Sequence, residues 1–139
     1  MNAHIGELEA AADENTNYLH VIFTAPLVQL AVMCLRPGEQ IPTESPAGAF
    51  RFFRVQSGEA KFVFDHSDEE RTVRDGERVV VPHGVSHRVM NASKTALLKL
   101  YTIISPPSHP DETVHRTKAN ADAAERARTG RGTRFLPVE

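Results

Sequence analysis

Cysteine is almost absent from this chain, and apolar runs long enough to span a bilayer are missing altogether. The single cysteine, Cys34, lies in the apolar stretch VQLAVMCL, so an intrachain disulfide is excluded and a small core side chain is expected. The first 17 residues are acidic and lack the basic and apolar regions of a signal peptide. We therefore expect a cytoplasmic protein that does not interact with membranes.

A global excess of basic residues is lacking as well, because the formal net charge is -2. Nucleic acid, whose backbone calls for such an excess, is therefore not an expected partner.

With 139 residues, the chain is long enough for one domain with a sizeable core and too short for two.

Helical periodicity is missing between Tyr18 and Ser105, where short apolar, β-branched or aromatic runs alternate with Gly, Pro, Asp and Ser. This pattern is typical of antiparallel strands. The eight candidate strands cover residues 19–25, 28–35, 50–56, 59–65, 70–74, 77–82, 87–91 and 96–104. Eight short strands predict a closed barrel or a jelly roll, since both architectures protect strand edges.

Two charge-biased ends flank the predicted barrel, residues 18–105. Residues 1–17 are an acidic extension, and residues 106–139 are a Pro-rich tail that ends in a short helix. The stretch 118–128 is rich in Ala, Glu and Arg, with Thr117 as a candidate cap and two glycines beyond it as stop signals. Both ends are expected to be solvated. His109 and His115 are expected to be exposed, the alternative being that the tail covers the barrel mouth.

The stretch GERVVVPHGVSHRVMN fits the spacing G-x5-P-x-G-x2-H-x3-N without a gap. The fixed positions are Gly76, Pro82, Gly84, His87 and Asn91. The glycines suit turns that need a positive φ, and the proline can end a strand because it needs no ladder hydrogen bond. His87 would then begin a strand and point into the barrel.

This motif resembles the second conserved motif of the cupin superfamily, and the likeness to small single-domain, RmlC-like cupins covers about residues 18 to 125. The resemblance implies an all-β fold, a cupin-type double-stranded β-helix or jelly-roll barrel with a short terminal helix. It further implies a homodimer with a site inside the barrel mouth. It does not supply a reaction, because cupins include isomerases, epimerases, dioxygenases, lyases and binding proteins.

The first cupin motif, G-x5-H-x-H-x4-E-x6-G, keeps its spacing here between Gly38 and Gly58 but loses its metal ligands. Its ligand positions hold Glu44, Pro46 and Arg51. Proline offers no donor atom, and arginine brings a fixed positive charge to the place of a cation. We therefore expect no metal and no other cofactor. A metal-dependent cupin oxygenase with atypical ligands stays as an alternative.

With cupin geometry, Glu44, Arg51 and His87 would converge on one cavity. Glu44 would raise the pKa of His87, whereas Arg51 and burial would lower it, so His87 would titrate near working pH. We expect His87 to act as acid or base, Glu44 to orient or share its proton, and Arg51 to bind an oxygen of a small, anionic substrate. The prediction is a metal-independent lyase or isomerase that catalyses isomerisation, dehydration, elimination or cyclisation.

Structural alternatives stay open for each of these residues. His87 could satisfy a buried backbone group, Glu44 could form a salt bridge with Arg51, and the protein could be a non-catalytic sensor or carrier. Strand alternation places Phe53 on the face of Arg51, so Phe53 is expected to line the cavity. Tyr101 is a further substrate-binding candidate if its strand face is inside.

Overall fold

The computed structural model of the chain describes residues 3–43, 49–65 and 67–135, with side chains as far as residue 127. The helices in this part of the chain are α1 (Leu8–Glu14) and α2 (Lys118–Phe135). The strands are β1 (Leu19–Thr24), β2 (Gln29–Leu35), β3 (Gln40–Ile41), β4 (Phe50–Ser57), β5 (Glu59–Phe64), β6 (Arg71–Arg74), β7 (Arg78–Val81), β8 (His87–Asn91), β9 (Leu98–Ser105) and β10 (Val114–His115).

The strands form two antiparallel sheets. One has six strands in the order β10-β1-β2-β9-β4-β7, and the other has four in the order β3-β8-β5-β6. The predicted all-β jelly-roll barrel with a terminal helix is thus confirmed. All eight predicted strands are present within one or two residues. The two-residue strands β3 and β10 were not predicted, because two residues are too few to show an alternating pattern.

The core lies between the inner faces of the two sheets. Along β4, buried Arg51, Phe53 and Val55 alternate with less buried neighbours, as the sequence predicts. Phe53 is fully buried, and its ring meets the ring of Phe62 from the other sheet edge-on, with centroids 5.3 Å apart. Such an edge-to-face pair favours one relative placement of the sheets.

Two residues of the cupin-like motifs, Gly58 and Asn91, have structural roles. Gly58 is the one residue between β4 and β5 and has φ +94, and a Cβ there would lie 2.5 Å from the carbonyl oxygen of Leu97. Asn91 is 1% exposed, and its amide donates to the carbonyl oxygens of Leu35 at 3.0 Å and Ala96 at 2.9 Å. Asn91 therefore joins the end of β8 to the end of β2 and to the turn before β9.

The N-terminal extension is not a solvated end. Ala12 of α1 is fully buried, and Glu9 lies 3.4 Å from Arg54 on the outer face of the six-stranded sheet. Lys99 on the same face donates a hydrogen bond to the backbone oxygen of Asp13. The expectation of a solvated N-terminus is therefore wrong for α1, because Ala12 allows close contact with the sheet while the carboxylate of Glu9 meets Arg54 there.

The C-terminal tail returns to the barrel, which contradicts the expectation of an exposed tail. β10 pairs with β1, and the amide of Val21 donates to the carbonyl oxygen of Thr113 at 2.8 Å. The predicted cap of the last helix is confirmed, since Thr117 Oγ1 accepts from the amide of Asn120 at 3.0 Å. Helix α2 continues to Phe135, beyond the predicted end at residue 128, because glycine weakens a helix by only about 1 kcal/mol.

Candidate functional site

A cavity of about 530 Å³ lies between the inner face of the six-stranded sheet and the returning C-terminal segment. Leu19 and Met33 form an apolar part of this sheet wall, and Ile41 on β3 of the four-stranded sheet also lines the cavity. The opposite wall consists of residues 106–109 and part of α2. The tail therefore covers the barrel mouth, as the alternative reading of the sequence proposed.

Arg51 on β4 lines the sheet wall of this cavity. It is 3% exposed, and its Cζ lies 5.8 Å from the ring centroid of Phe53. Its Nη2 lies 3.5 Å from Ser108 Oγ in the loop after β9. A guanidinium presents its donors in a planar fork that matches a carboxylate or phosphate. This wall of the cavity is therefore suited to an oxygen anion.

Thr102 adds a hydroxyl to the same wall. It is fully buried on β9, and its register partner is Phe53 on β4. Its Oγ1 has no hydrogen-bond partner among the described residues. A buried polar atom without a partner is rare and calls for a ligand or water. The sequence could have identified Thr102 as an inward-facing residue, because alternation along LKLYTIIS places it on the same face as Leu100 and Ile104, which is the buried face.

A buried amide fixes the loop that closes the cavity. Gln29 on β2 is fully buried, and its Oε1 accepts from the amides of Ser108 at 3.2 Å and His109 at 3.1 Å. Its Nε2 donates to the carbonyl oxygen of His109 and to Thr24 Oγ1, both at 2.9 Å. Ser108 and His109 consequently line the cavity at a defined position. The sequence reading missed Gln29, because its loop partners lie about 80 residues further along the chain.

His87 lies in the core, away from the described cavity wall. It is 6% exposed, its Nδ1 is 3.3 Å from the carbonyl oxygen of Val85, and its ring is 5.6 Å from that of Phe53. Phe53 thus contacts both Arg51 and His87. Phe53 lies on the predicted inner face, but it packs in the core, and neither it nor His87 is among the described residues that line the cavity.

Tyr101 does not reach the cavity, and the expectation that it contacts substrate is corrected. Its ring lies 6.3 Å from that of Phe52, and Arg54 Cζ lies 5.8 Å from its centroid. These are residues of the outer face, because neighbours along a strand point to opposite sides of the sheet and Thr102 points inward. The further candidate, Glu44, lies outside the described residues, and so does Pro46.

The residues at the implied ligand positions do not fit the metal that most cupins hold. Arg51 takes the place of a carboxylate ligand and carries a permanent positive charge, and Pro46 has no donor atom. Within residues 3–43, 49–65 and 67–135, no three His, Cys, Asp or Glu side chains come together as a metal-binding group.

Tyr18 lines the cavity as a neutral hydroxyl. Burial raises the pKa of Tyr18 well above its ordinary value, and the negative charges of Asp122 and Glu39 raise it further. Its hydroxyl donates to the carbonyl oxygen of Gln40 at 3.0 Å. Tyr18 is therefore a structural donor and not a base.

In the described part of the chain, neither helix is both long and apolar enough to cross a membrane.

Curated relatives resemble this chain over most of its length. The Bacillus subtilis protein YrkC is 37% identical over 122 residues, which cover 85% of this chain and 65% of YrkC. Protein L612 of Acanthamoeba polyphaga mimivirus is 37% identical over 98 residues, which cover 70% of this chain and 61% of L612. Both relatives are described as uncharacterized, and the chain spans less than two thirds of the length of each.

Solved structures and a family profile agree with the fold. BH2720 from Bacillus halodurans has a TM-score of 0.81 and 30% identity, with 88% of this chain and 95% of BH2720 covered. KdgF from Halomonas sp. has a TM-score of 0.56 at 14% identity over 65% of this chain and 78% of KdgF, a likeness of fold alone. The profile of the cupin domain matches residues 31–104, just over half of the chain. On the strength of this match, the chain belongs to the cupin family.

Proposed function

We propose that this cupin binds a small organic anion in its cavity and holds the carboxylate of that anion on Arg51. The observation that carries the proposal is a guanidinium, only 3% exposed, on the wall of a cavity of about 530 Å³. Hydrogen bonds between ionised partners are about twice as strong as neutral ones. An anionic head group is therefore the feature of a ligand that this wall selects.

Thr102 supports the same assignment. Its buried Oγ1 lies on the cavity wall and has no hydrogen-bond partner among the described residues. A ligand oxygen held by Arg51 would accept a second hydrogen bond from this hydroxyl. The apolar side chains around them would exclude water and strengthen both interactions.

The binding proposal is tested with hexanoate as the probe and hexanamide as its uncharged counterpart, titrated into the 15N-labelled full chain and followed by NMR. We expect hexanoate to bind at least about 10-fold more tightly than hexanamide, because charged hydrogen bonds contribute about 1.5–3 kcal/mol. Arg51→Met should remove this preference, and Thr102→Val should weaken hexanoate several-fold. Arg54→Met on the outer face is the matched control and should bind like the wild type.

Equal affinities of wild-type protein for hexanoate and hexanamide would contradict the proposal. This comparison needs no substitution, so it decides the question even if Arg51→Met fails to fold. Retention of the preference in a folded Arg51→Met variant would also contradict it.

A second candidate function is the metal-independent acid–base enzyme, a lyase or isomerase acting by isomerisation, dehydration, elimination or cyclisation. It is favoured by His109, which lines the cavity and whose backbone is fixed by Gln29. In this proposal Arg51 stabilises the enolate oxygen that forms when a proton leaves the carbon beside a carbonyl, and an imidazole accepts that proton. His87 with Glu44 stays the sequence-based alternative for the proton acceptor.

The two functions are separated with 2-oxohexanoate in D2O. An acid–base enzyme should exchange the C3 protons of this probe for deuterium faster than buffer does, and proton NMR measures the exchange. His109→Gln should abolish the acceleration if His109 is the acceptor, and His87→Gln should abolish it if His87 is. His83→Gln, on the exposed turn before β8, is the control. Binding without accelerated exchange would rule out this proton transfer for the probe and favour the carrier.

A further inference from the structure

A single hydroxyl interrupts an apolar part of the inner sheet face. Thr102 on β9 lies between its register partners Ala31 on β2 and Phe53 on β4. Leu100 and Ile104 precede and follow it on the same face of β9. All four neighbours are fully buried and apolar, so their side chains offer the threonine no hydrogen bond. The hydroxyl therefore reaches the cavity from apolar surroundings.

Thr102 Oγ1 is unused both as a donor and as an acceptor. The side chain is fully buried and lines the cavity, and Oγ1 has no hydrogen-bond partner among the described residues. A hydroxyl has one proton to donate and two lone pairs that accept. A carboxylate only accepts, so a ligand whose only polar group is a carboxylate uses the proton and leaves both lone pairs without a donor. A ligand that fully matches this wall therefore brings a donor of its own.

The carboxylate and this donor have to lie close together on the ligand. Arg51, which holds the carboxylate in the proposed function, is opposite Ile104 on β9 and is therefore diagonal to Thr102 on the same face. Hydrogen bonds from a hydroxyl to an oxygen span about 2.5–2.8 Å between the two oxygens. Two ligand oxygens that both bond to Oγ1 are consequently close to each other. A hydroxyl group on the carbon beside the carboxylate meets this requirement.

A hydroxyl suits the donor role better than an ammonium or an oxo group. An ammonium has three protons to donate, and in these apolar surroundings Oγ1 would accept only one of them. An oxo group has no proton, so both lone pairs of Oγ1 would stay unused. A hydroxyl donates a single proton, which matches the single acceptor atom of Thr102.

We infer that the ligand class is a 2-hydroxycarboxylate. Its carboxylate binds Arg51 and accepts a hydrogen bond from Thr102 Oγ1, and its 2-hydroxyl donates to the same Oγ1. Its carbon chain contacts the apolar wall at Leu19 and Met33. This inference rests on the proposed binding of an organic anion at Arg51 and adds the chemical group that stands beside that anion.

Four six-carbon acids that differ at the second carbon test the inference on the 15N-labelled full chain by NMR titration: hexanoate, 2-hydroxyhexanoate, 2-oxohexanoate and 2-aminohexanoate. Both enantiomers of each chiral acid are titrated, and the tighter-binding one is compared. We expect 2-hydroxyhexanoate to bind at least about 10-fold more tightly than each of the other three, because they leave the buried hydroxyl or their own donors unpaired. Its isomer 6-hydroxyhexanoate, with the hydroxyl at the far end, should show no such gain over hexanoate.

Substitutions of threonine test whether the preference depends on Oγ1. Thr102→Val replaces the hydroxyl with a methyl group of similar size and should bring 2-hydroxyhexanoate to within about threefold of hexanoate. Thr102→Ser keeps the hydroxyl and should keep the preference. Thr72→Val, at an exposed position of β6, makes the same substitution away from the cavity wall and should bind all four acids like the wild type.

The failures of the two proposals are distinguishable. If hexanoate does not bind, or binds equally well to Arg51→Met, the proposed function is wrong. If hexanoate binds through Arg51 but 2-hydroxyhexanoate shows no advantage over it, or 2-oxohexanoate or 2-aminohexanoate binds as tightly as 2-hydroxyhexanoate, the 2-hydroxycarboxylate inference is overturned while the proposed function stands. These comparisons use the wild-type protein, so they decide the question even if Thr102→Val fails to fold. A preference that survives in a folded Thr102→Val variant would overturn the inference as well.

Discussion

Buried polar residues on the inner faces of this barrel differ in where their hydrogen bonds go. The amide groups of Gln29 and Asn91 bond to the backbone of distant segments. Arg51 and Thr102 line the cavity, and the Oγ1 of Thr102 has no hydrogen-bond partner among the described residues. Buried polar groups that bond within the protein stabilise the fold, whereas a buried hydroxyl that lacks a partner at a cavity wall marks a place for a ligand.

Asn91 should be important for stability and not for ligand binding. Asn91→Ala removes the donors to Leu35 and Ala96 and the acceptor for the amide of Ser93. We expect a loss of about 2 to 4 kcal/mol in the free energy of unfolding, measured with urea, because buried carbonyls are left without partners. Asn120→Ala, on the exposed face of α2, should change it by no more than about 0.5 kcal/mol. Similar losses in the two variants would contradict this role.

Tyr18 should make the protein less stable at alkaline pH. Burial raises the pKa of Tyr18 in the folded state above its value of about 10 in the unfolded chain. The stabilisation is therefore complete below about pH 10 and decreases as the pH rises above it, because the unfolded chain releases the proton first. Urea unfolding at about pH 9 and 11 should show a smaller decrease for Tyr18→Phe than for the wild type. Equal decreases would contradict the assignment.

At the scale of elements, the functional site depends on the loop that follows β9. Pro106, Pro107, Ser108 and His109 form one wall of the cavity, and the buried side chain of Gln29 holds the last two. A loop anchored in this way loses little further freedom when a ligand binds. Gln29 on β2 therefore helps to fix the position of His109, together with the loop itself.

Gln29→Leu should loosen this loop while the barrel stays folded. The amides of Ser108 and His109 lose their acceptor, so we expect their hydrogen exchange to accelerate at least about 10-fold, together with a loss of about 1 to 3 kcal/mol in unfolding free energy. Gln40→Leu, on β3, is the matched control and should leave exchange at Ser108 and His109 unchanged. Unaltered exchange in Gln29→Leu would show that the amide does not hold the loop.

At the scale of the whole molecule, the outer face of the six-stranded sheet carries an apolar stripe. The strand register places Val80, Phe52, Ile103 and Leu30 side by side on β7, β4, β9 and β2. Val80 is 53% exposed on the edge strand β7. We propose that the homodimer expected from the sequence forms through this stripe, since a second copy would bury it.

Val80→Lys should weaken such a dimer at least about 10-fold, because a lysine ammonium would be desolvated at the interface. Sedimentation velocity over a range of protein concentrations measures the change. Val114→Lys, on β10 at the opposite edge of the sheet, is the control for an added surface charge. A wild-type protein that stays monomeric at all concentrations would contradict the dimer, and equal effects of the two substitutions would contradict its location.

Local pattern explains which parts of the fold were predictable. Alternation along FRFFRVQS placed Arg51 and Phe53 inside, and the spacing from Gly76 to Asn91 predicted the turns before and after β7. Tyr101 was a candidate only if its strand face was inside, because alternation tells which residues share a face but not which face is buried. The closure of the cavity by the tail was not predictable, since its bonds join Gln29 to Ser108 and His109 across most of the chain.

Short-range periodicity and fixed spacings were enough to predict the barrel, its family and a positive charge where most cupins hold a metal ligand. The three-dimensional contacts were needed to show that His87 packs against Phe53 in the core and that Thr102, Ser108 and His109 line the cavity with Arg51. A cavity is bounded by side chains from distant segments, and contacts between distant segments leave no periodic pattern in the chain.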